Sequence, residues 1–126
     1  MAAKTFVEDL PFQCALFEKF AEKCSDDLPV LLGLSEFYLA AGRVGDGLRT
    51  AVRATVLAPE NPNLHYVLAC AFALSRQSQF ALDHLKLAVQ LGYDDLRRLE
   101  RDQRLQSLQE STAYRAIVRL LRQKEK

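Results

Sequence analysis

Residues 28–60 read LPVLLGLSEFYLAAGRVGDGLRTAVRATVLAPE, and residues 62–93 read PNLHYVLACAFALSRQSQFALDHLKLAVQLGY. Slid by 34 positions, the first stretch falls on the second. Leu34 meets Leu68, Tyr38 meets Phe72, Leu48 meets Leu82, Ala54 meets Ala88 and Leu57 meets Leu91. Size class is kept at most core-type positions between these pairs. A fixed period of this length marks a stacked supersecondary unit rather than a compact enzyme core. Such units pack on their neighbours and present a surface that holds another molecule.

Within each stretch the apolar spacing is helical, and glycine and proline punctuate it. Asp26 or Asp27 can cap a helix with Pro29 in its first turn. That helix carries Val30, Leu31, Leu34, Phe37 and Tyr38 and stops near Gly42. After Gly45 and Gly47, a second helix is expected to carry Leu48, Ala51, Val52, Thr55 and Val56 to Pro59. Asn61-Pro62 repeats the cap-then-proline start. Leu64, Leu68, Ala71 and Phe72 then form the apolar face of a third helix. A turn at Ser75–Ser78 leads to a fourth, with Phe80, Ala81, Leu85, Ala88 and Val89, ending at Gly92. No strand signal of any length is present, and the short loops imply antiparallel neighbours. Gly47 and Ala81, with Ala54 and Ala88, let paired helices approach closely while Tyr38 or Phe72 fills the space beside them.

The order Leu34, Tyr38, Gly42, Gly47, Ala51, Ala54, Pro59 resembles the tetratricopeptide repeat, and so does Leu68, Ala69, Phe72, Ala81, Leu85, Ala88. The two units, residues 28–60 and 62–93, cover about half of the chain. Three positions depart from the family pattern. The early aromatic of the first helix is Leu31 in one unit and His65 in the other, Arg76 replaces a turn glycine, and Tyr93 replaces the closing proline. Residues 10–24, with Phe12, Leu16, Phe17 and Phe20 on one helical face, read as an N-terminal capping helix. Residues 94–124 read as C-terminal capping helices. The pattern Leu99, Asp102, Leu105, Leu108, followed by Tyr114, Ile117, Val118 and Leu121, resembles the terminal segment of bacterial tetratricopeptide arrays. The expected fold is all-α: one domain over residues 1–126, a short right-handed α-solenoid of two helix pairs closed at both ends.

Bulk composition narrows the function. The chain has 126 residues, 49% of them hydrophobic, and a formal net charge of +1. No overall field selects nucleic acid or an anionic membrane. The charge is uneven, however. Residues 1–28 hold three Lys against six Asp and Glu, a net of −3, whereas residues 97–126 hold nine basic against four acidic residues, a net of +5. Cys14, Cys24 and Cys70 are odd in number and lack metal-type spacing, which favours reduced thiols and a cytoplasmic setting. The N-terminus MAAKTFVEDLPF lacks the pattern of a signal peptide, and no apolar run approaches bilayer length.

No phosphate loop or nucleophile elbow is present. His65 and His84 lie on different helices and lack the spacing of a metal set, so packing is the expected role of His65. Cys70 reads as a small buried hydrophobe. An enzyme, a metal and a cofactor are therefore not expected. The family resemblance implies a concave face carried by the first helix of each pair, with Leu32, Glu36, Leu39 and Ala40, then Asn63, Tyr66, Cys70, Ala73 and Leu74. From these, Leu32, Glu36, Leu39, Asn63, Tyr66, Cys70 and Leu74 are the expected peptide contacts, and micromolar affinity is the expectation. The expected function is that of an adaptor or small chaperone for a protein or peptide partner. The alternatives are a secretion-type chaperone that shields hydrophobic segments of an exported protein, and a self-associating module, a homodimer for instance. The same face could instead be filled by the chain's own terminal helix. The carboxylate clamp of chaperone-binding tetratricopeptide proteins maps to Leu32, Glu36, Asn63 and Val67, where Glu36 would repel a carboxylate. In the C-terminal third, Arg97, Arg98, Arg101 and Arg104 form one cluster and Arg115, Arg119 and Arg122 a helical stripe. That stripe suits an acidic partner or an ordinary solvated face. With Tyr114 as its sole aromatic it gives single-stranded nucleic acid no stacking platform.

Overall fold

Asp27 accepts a hydrogen bond from the Val30 amide at 3.1 Å, and Asn61, 34 residues later, accepts one from the Leu64 amide at 3.0 Å. Each cap starts a helix with proline in its first turn: α1, Leu28–Ala40, and α3, Pro62–Leu74. The paired helices are α2, Val44–Ala54, and α4, Ser78–Gln90. A short α5, Leu96–Arg101, a 3-10 helix, Gln103–Leu108, and α6, Thr112–Glu125, follow. This computed structural model describes residues 15, 16, 18, 19 and 27–125. Among them the fold is all-α, with no strand. The N-terminal cap expected over residues 10–24 lies almost wholly outside the described residues. Of it, Ala15, Leu16, Glu18 and Lys19 are helical.

The 34-residue period is written into the backbone as well as the side chains. Three helices end in the same left-handed cap. Gly42, Arg76 and Gly92 have φ of 81°, 65° and 113°. In each case the next amide reaches back to the carbonyl five residues earlier: Arg43 to Tyr38 at 2.8 Å, Gln77 to Phe72 at 2.9 Å and Tyr93 to Ala88 at 2.9 Å. Arg76 therefore occupies a glycine conformation with an exposed side chain. A non-glycine residue there costs about 1–2 kcal/mol, and glycine returns part of that through the entropy of the unfolded chain. Arg76→Gly is expected to stabilise the protein by about 0.5 kcal/mol net, read as a rise in the urea midpoint at unchanged slope.

The chain divides into two compact units, residues 1–59 and 60–126. In the first, α1 packs on α2, with Leu31, Leu34 and Tyr38 buried on one helix and Gly47, Ala51 and Ala54 on the other. The Ser35 hydroxyl, fully buried, donates to the Gly47 carbonyl at 2.8 Å. Tyr38 donates to Glu18, and Arg43 lies over the Tyr38 ring at 4.5 Å and 3.5 Å from the Glu18 carboxylate. Burial, then the Glu18 carboxylate, pushes the Tyr38 phenol up to about 12.

Helix α2 differs from its expected span. It begins at Val44, so Gly45 and Gly47 lie inside it, and it ends at Ala54. Asp46 in its first turn favours the early start, because a carboxylate there complements the helix dipole and pairs with Arg43 and Arg49. Val56 and Leu57 consequently fall in the turn and are exposed.

In the second unit α3 is sandwiched. It packs on α4 and also on the 3-10 helix, while α6 packs on α4 and α5. Leu99, Leu105 and Leu108 are fully buried, as is Leu121, and Tyr114 and Ile117 are nearly so. The expected last amphipathic helix is thus present, with Val118 half-exposed rather than in the core.

Candidate functional site

The seven expected contact residues do not share one environment. In the first unit Leu32 and Glu36 are half-exposed on α1, while Leu39 is buried. Leu39 faces the partner helix of its own hairpin: a Cβ built on Gly47 would stand 2.7 Å from its Cδ2. In the second unit Asn63 and Leu74 are exposed at the two ends of α3, whereas Tyr66 and Cys70 have no exposed surface. Val67 and Ala73 are buried too. Leu39, Tyr66 and Cys70 are therefore core residues in this conformation. Helical spacing places them correctly on α1 and α3, but it does not reveal what packs over them.

What covers Tyr66 and Cys70 is the C-terminal segment. The Tyr66 hydroxyl donates to Asp102 Oδ2 at 2.7 Å, and Cys70 Sγ lies 3.6 Å from the same oxygen. Arg104 grips the Asp102 carboxylate bidentately, from Nε at 2.9 Å and Nη2 at 2.7 Å, and its amide donates to Oδ1 at 3.1 Å. One carboxylate thus caps the 3-10 helix and anchors it to α3. Burial alone would raise the Asp102 carboxyl, but the hydrogen bonds from Arg104 and Tyr66 prevail and hold it down at about 2. The Tyr66 phenol is pushed far up, first by burial and then by the Cys70 and Asp102 groups.

The departures from the repeat pattern gain a reason here. Tyr93 stacks on Tyr66 with ring centroids 4.4 Å apart and planes 7° from parallel, and Arg98 covers the Tyr66 ring at 5.0 Å. An aromatic in place of the closing proline extends the buried stack under the C-terminal segment. The Tyr93 hydroxyl is buried without a partner in hydrogen-bond geometry among the described residues, and burial pushes its phenol up to about 12.

His65 and His84, nineteen positions apart, meet across the α3/α4 hairpin. Their Nδ1 atoms are 3.1 Å apart, their ring centroids 5.3 Å apart and their planes 11° from parallel, and the Phe72 ring lies 5.3 Å from that of His84 and 14° from parallel. Sequence spacing separates the pair; hairpin geometry joins it. Among the described residues no group of three or more His, Cys, Asp or Glu side chains is placed to hold a metal. One imidazole must donate and the other accept, so the contact requires at least one neutral ring. Burial, then the proximity of His65, lowers the His84 pKa. A depressed histidine pKa means that folding releases protons. Its stabilisation is complete above the ordinary value near 6.5 and fades as pH falls through the lowered folded value. Urea unfolding is expected to show falling stability from pH 7.5 to 5.5, and a smaller fall in His84→Gln.

A further surface, not singled out by the sequence, lies between α4 and α6. Two adjoining grooves of about 330 and 280 Å³ share Lys86, Ile117 and Leu120, and the first adds Leu82, Ala113 and Ala116. Leu120 is 44% exposed there. Among the described residues no helix is long and apolar enough to cross a membrane.

No protein-family model matches the chain, and no curated protein matches it. Among solved structures, it is similar to the Yersinia enterocolitica type III secretion translocator chaperone SycD, in a crystal structure described as an alternative dimer. That likeness has a TM-score of 0.65 and covers 94% of this chain and 83% of the chaperone chain. At 16% identity it is a likeness of fold.

Proposed function

We propose that this chain is a non-catalytic protein-interaction module of the tetratricopeptide class, a small cytoplasmic chaperone or adaptor that holds an apolar segment of a partner protein. The observation that carries this reading is the fold likeness to a translocator chaperone over 94% of the chain. The tetratricopeptide resemblance of residues 28–93 supports it independently. Taken unit by unit, the proposed contacts are Leu32 and Glu36 on α1, and Asn63 and Leu74 on α3, the expected contacts that retain exposed surface. Leu39 holds α1 against α2, and Tyr66 and Cys70 hold α3 against the C-terminal segment. Glu36 and Asn63 supply polar selection, and the two leucines the apolar contact.

The test is fluorescence anisotropy with a labelled fifteen-residue peptide of alternating Leu and Ser. Micromolar binding is expected, weakened about tenfold or more in Leu32→Glu/Leu74→Glu, with the melting temperature confirming that the variant is folded. Leu120→Glu is expected to leave it unchanged. Binding lost in Leu120→Glu but kept in the double variant would move the site to the α4/α6 groove. Absence of binding, together with a concentration-dependent dimer abolished by Leu74→Glu, would make self-association the function.

A further inference from the structure

The proposed apolar contacts leave the basic C-terminal third without a role. Three of its arginines line a cavity. A groove of about 470 Å³ runs beside α6, lined by Tyr114, Arg115, Val118, Arg119 and Arg122, with Glu100 of α5 and Gln109 closing it. Arg115 pairs with Glu110 at 3.0 Å and Arg122 with Glu100 at 2.8 Å, and both arginine side chains are 61% exposed. Exposed pairs of this kind are worth at most about 1 kcal/mol, so an incoming carboxylate can replace either acid at little cost. Arg119, between them on the helix, makes no ion pair among the described residues. The floor is not charged. Tyr114 is buried with its hydroxyl on the Leu99 carbonyl at 3.4 Å, and Val118 is half-exposed.

We infer that this groove is a second docking surface, and that it takes an acidic segment of a partner protein carrying an apolar side chain between its carboxylates. Charge complementarity argues for the sign: the groove sets three arginines against Glu100 and Glu110, within a segment, residues 97–126, of net +5. Arg115 and Arg122 are seven residues apart, about 10 Å along a helix. Acidic side chains four residues apart on an extended segment lie on one face and span about 13 Å, within reach of the two arginine side chains, and the side chain midway between them shares that face. The apolar floor accounts for the side chain between them. A nucleic-acid backbone fits less well: Glu100 and Glu110 would face its continuous phosphates, and the groove offers no exposed ring for base stacking. Separately placed peptide carboxylates avoid both problems. This surface is distinct from the inner-face positions Leu32, Glu36, Asn63 and Val67, where a carboxylate clamp is not expected.

The probe is a labelled twelve-residue peptide of three Glu-Ser-Leu-Ser repeats, with its Gln counterpart and a twelve-nucleotide single-stranded RNA as comparators. Binding of the Glu peptide is expected to weaken about tenfold between 50 and 300 mM salt. Arg115→Gln/Arg119→Gln is expected to weaken it tenfold or more. Arg119→Lys should retain most of it, and Val56→Ser, an exposed change in the first unit with no role in either surface, should not affect it. The substituted arginines are exposed, so melting temperatures should hold. Equal binding of the Gln peptide, or indifference to the double arginine change, overturns the inference. So does tighter binding of the RNA than of the Glu peptide.

Discussion

Asp102→Ala is expected to lower the unfolding free energy by about 3 kcal/mol, the cost of breaking a buried, hydrogen-bonded charge pair from one side. The carboxylate is 8% exposed and accepts from the Tyr66 hydroxyl, the Arg104 guanidinium and the Arg104 amide. Alanine leaves the Tyr66 hydroxyl stranded against α3 and the Arg104 guanidinium, 21% exposed, without its counter-charge. It also removes the cap of the 3-10 helix. The pH dependence gives an independent check. A carboxyl held at about 2 against an ordinary value of 3.8 corresponds to roughly 2–3 kcal/mol. Because the folded value is depressed, that contribution is complete above about pH 4 and disappears as pH falls toward 2. Urea titrations of the wild type should steepen in this window, and those of Asp102→Ala should flatten. Tyr66→Phe tests the same contact from the other side at about 1.5 kcal/mol. A double-mutant cycle should give a loss smaller than the sum, since each change removes the same hydrogen bond.

That anchor marks the boundary of what the sequence makes legible. The caps at Asp27 and Asn61 are local, acting over three residues, so the residue types announce them. The period from Leu34 to Leu68 and from Ala54 to Ala88 is equally plain, because each hairpin repeats the same internal packing. Position 102 stands in the resembled terminal pattern, but nothing in the pattern says that its carboxylate meets Tyr66, 36 residues earlier. Tyr66 and Cys70 consequently read as groove residues. Helical spacing assigns a face without saying whether a later segment lies on it. The His65–His84 contact escapes for a related reason: the two join through the turn between α3 and α4, and metal-ligand spacings within one helix do not describe a hairpin. Gly45 and Gly47 misled in the opposite way. They read as breaks before α2, yet helix interiors tolerate glycine where a neighbouring side chain needs the space.

The space at Gly47 leads to the second large effect. A Cβ on Gly47 would stand 2.7 Å from Leu39 Cδ2, 3.0 Å from its Cγ and 3.2 Å from the Ser35 carbonyl oxygen. Thirty-four residues later the two positions are Ala73 and Ala81, both buried. The hairpins thus divide one volume differently: a large side chain over a glycine in the first, two alanines in the second. Leu39→Ala alone should cost about 3 kcal/mol, because it removes a side chain only 5% exposed and opens a cavity that Gly47 cannot fill. Gly47→Ala alone gains helix propensity of up to about 1 kcal/mol. It also forces Leu39 off its site, at a cost of about 1–3 kcal/mol, for a net loss of about 1 kcal/mol. Together the two changes reproduce the small-on-small packing of the second hairpin. The double variant should therefore be more stable than the sum predicts, by at least about 1 kcal/mol of coupling. Equilibrium urea unfolding of the four proteins in the cycle measures this directly. Strict additivity would mean that Leu39 and Gly47 do not share the space, and that the two hairpins are not alternative solutions to one packing problem.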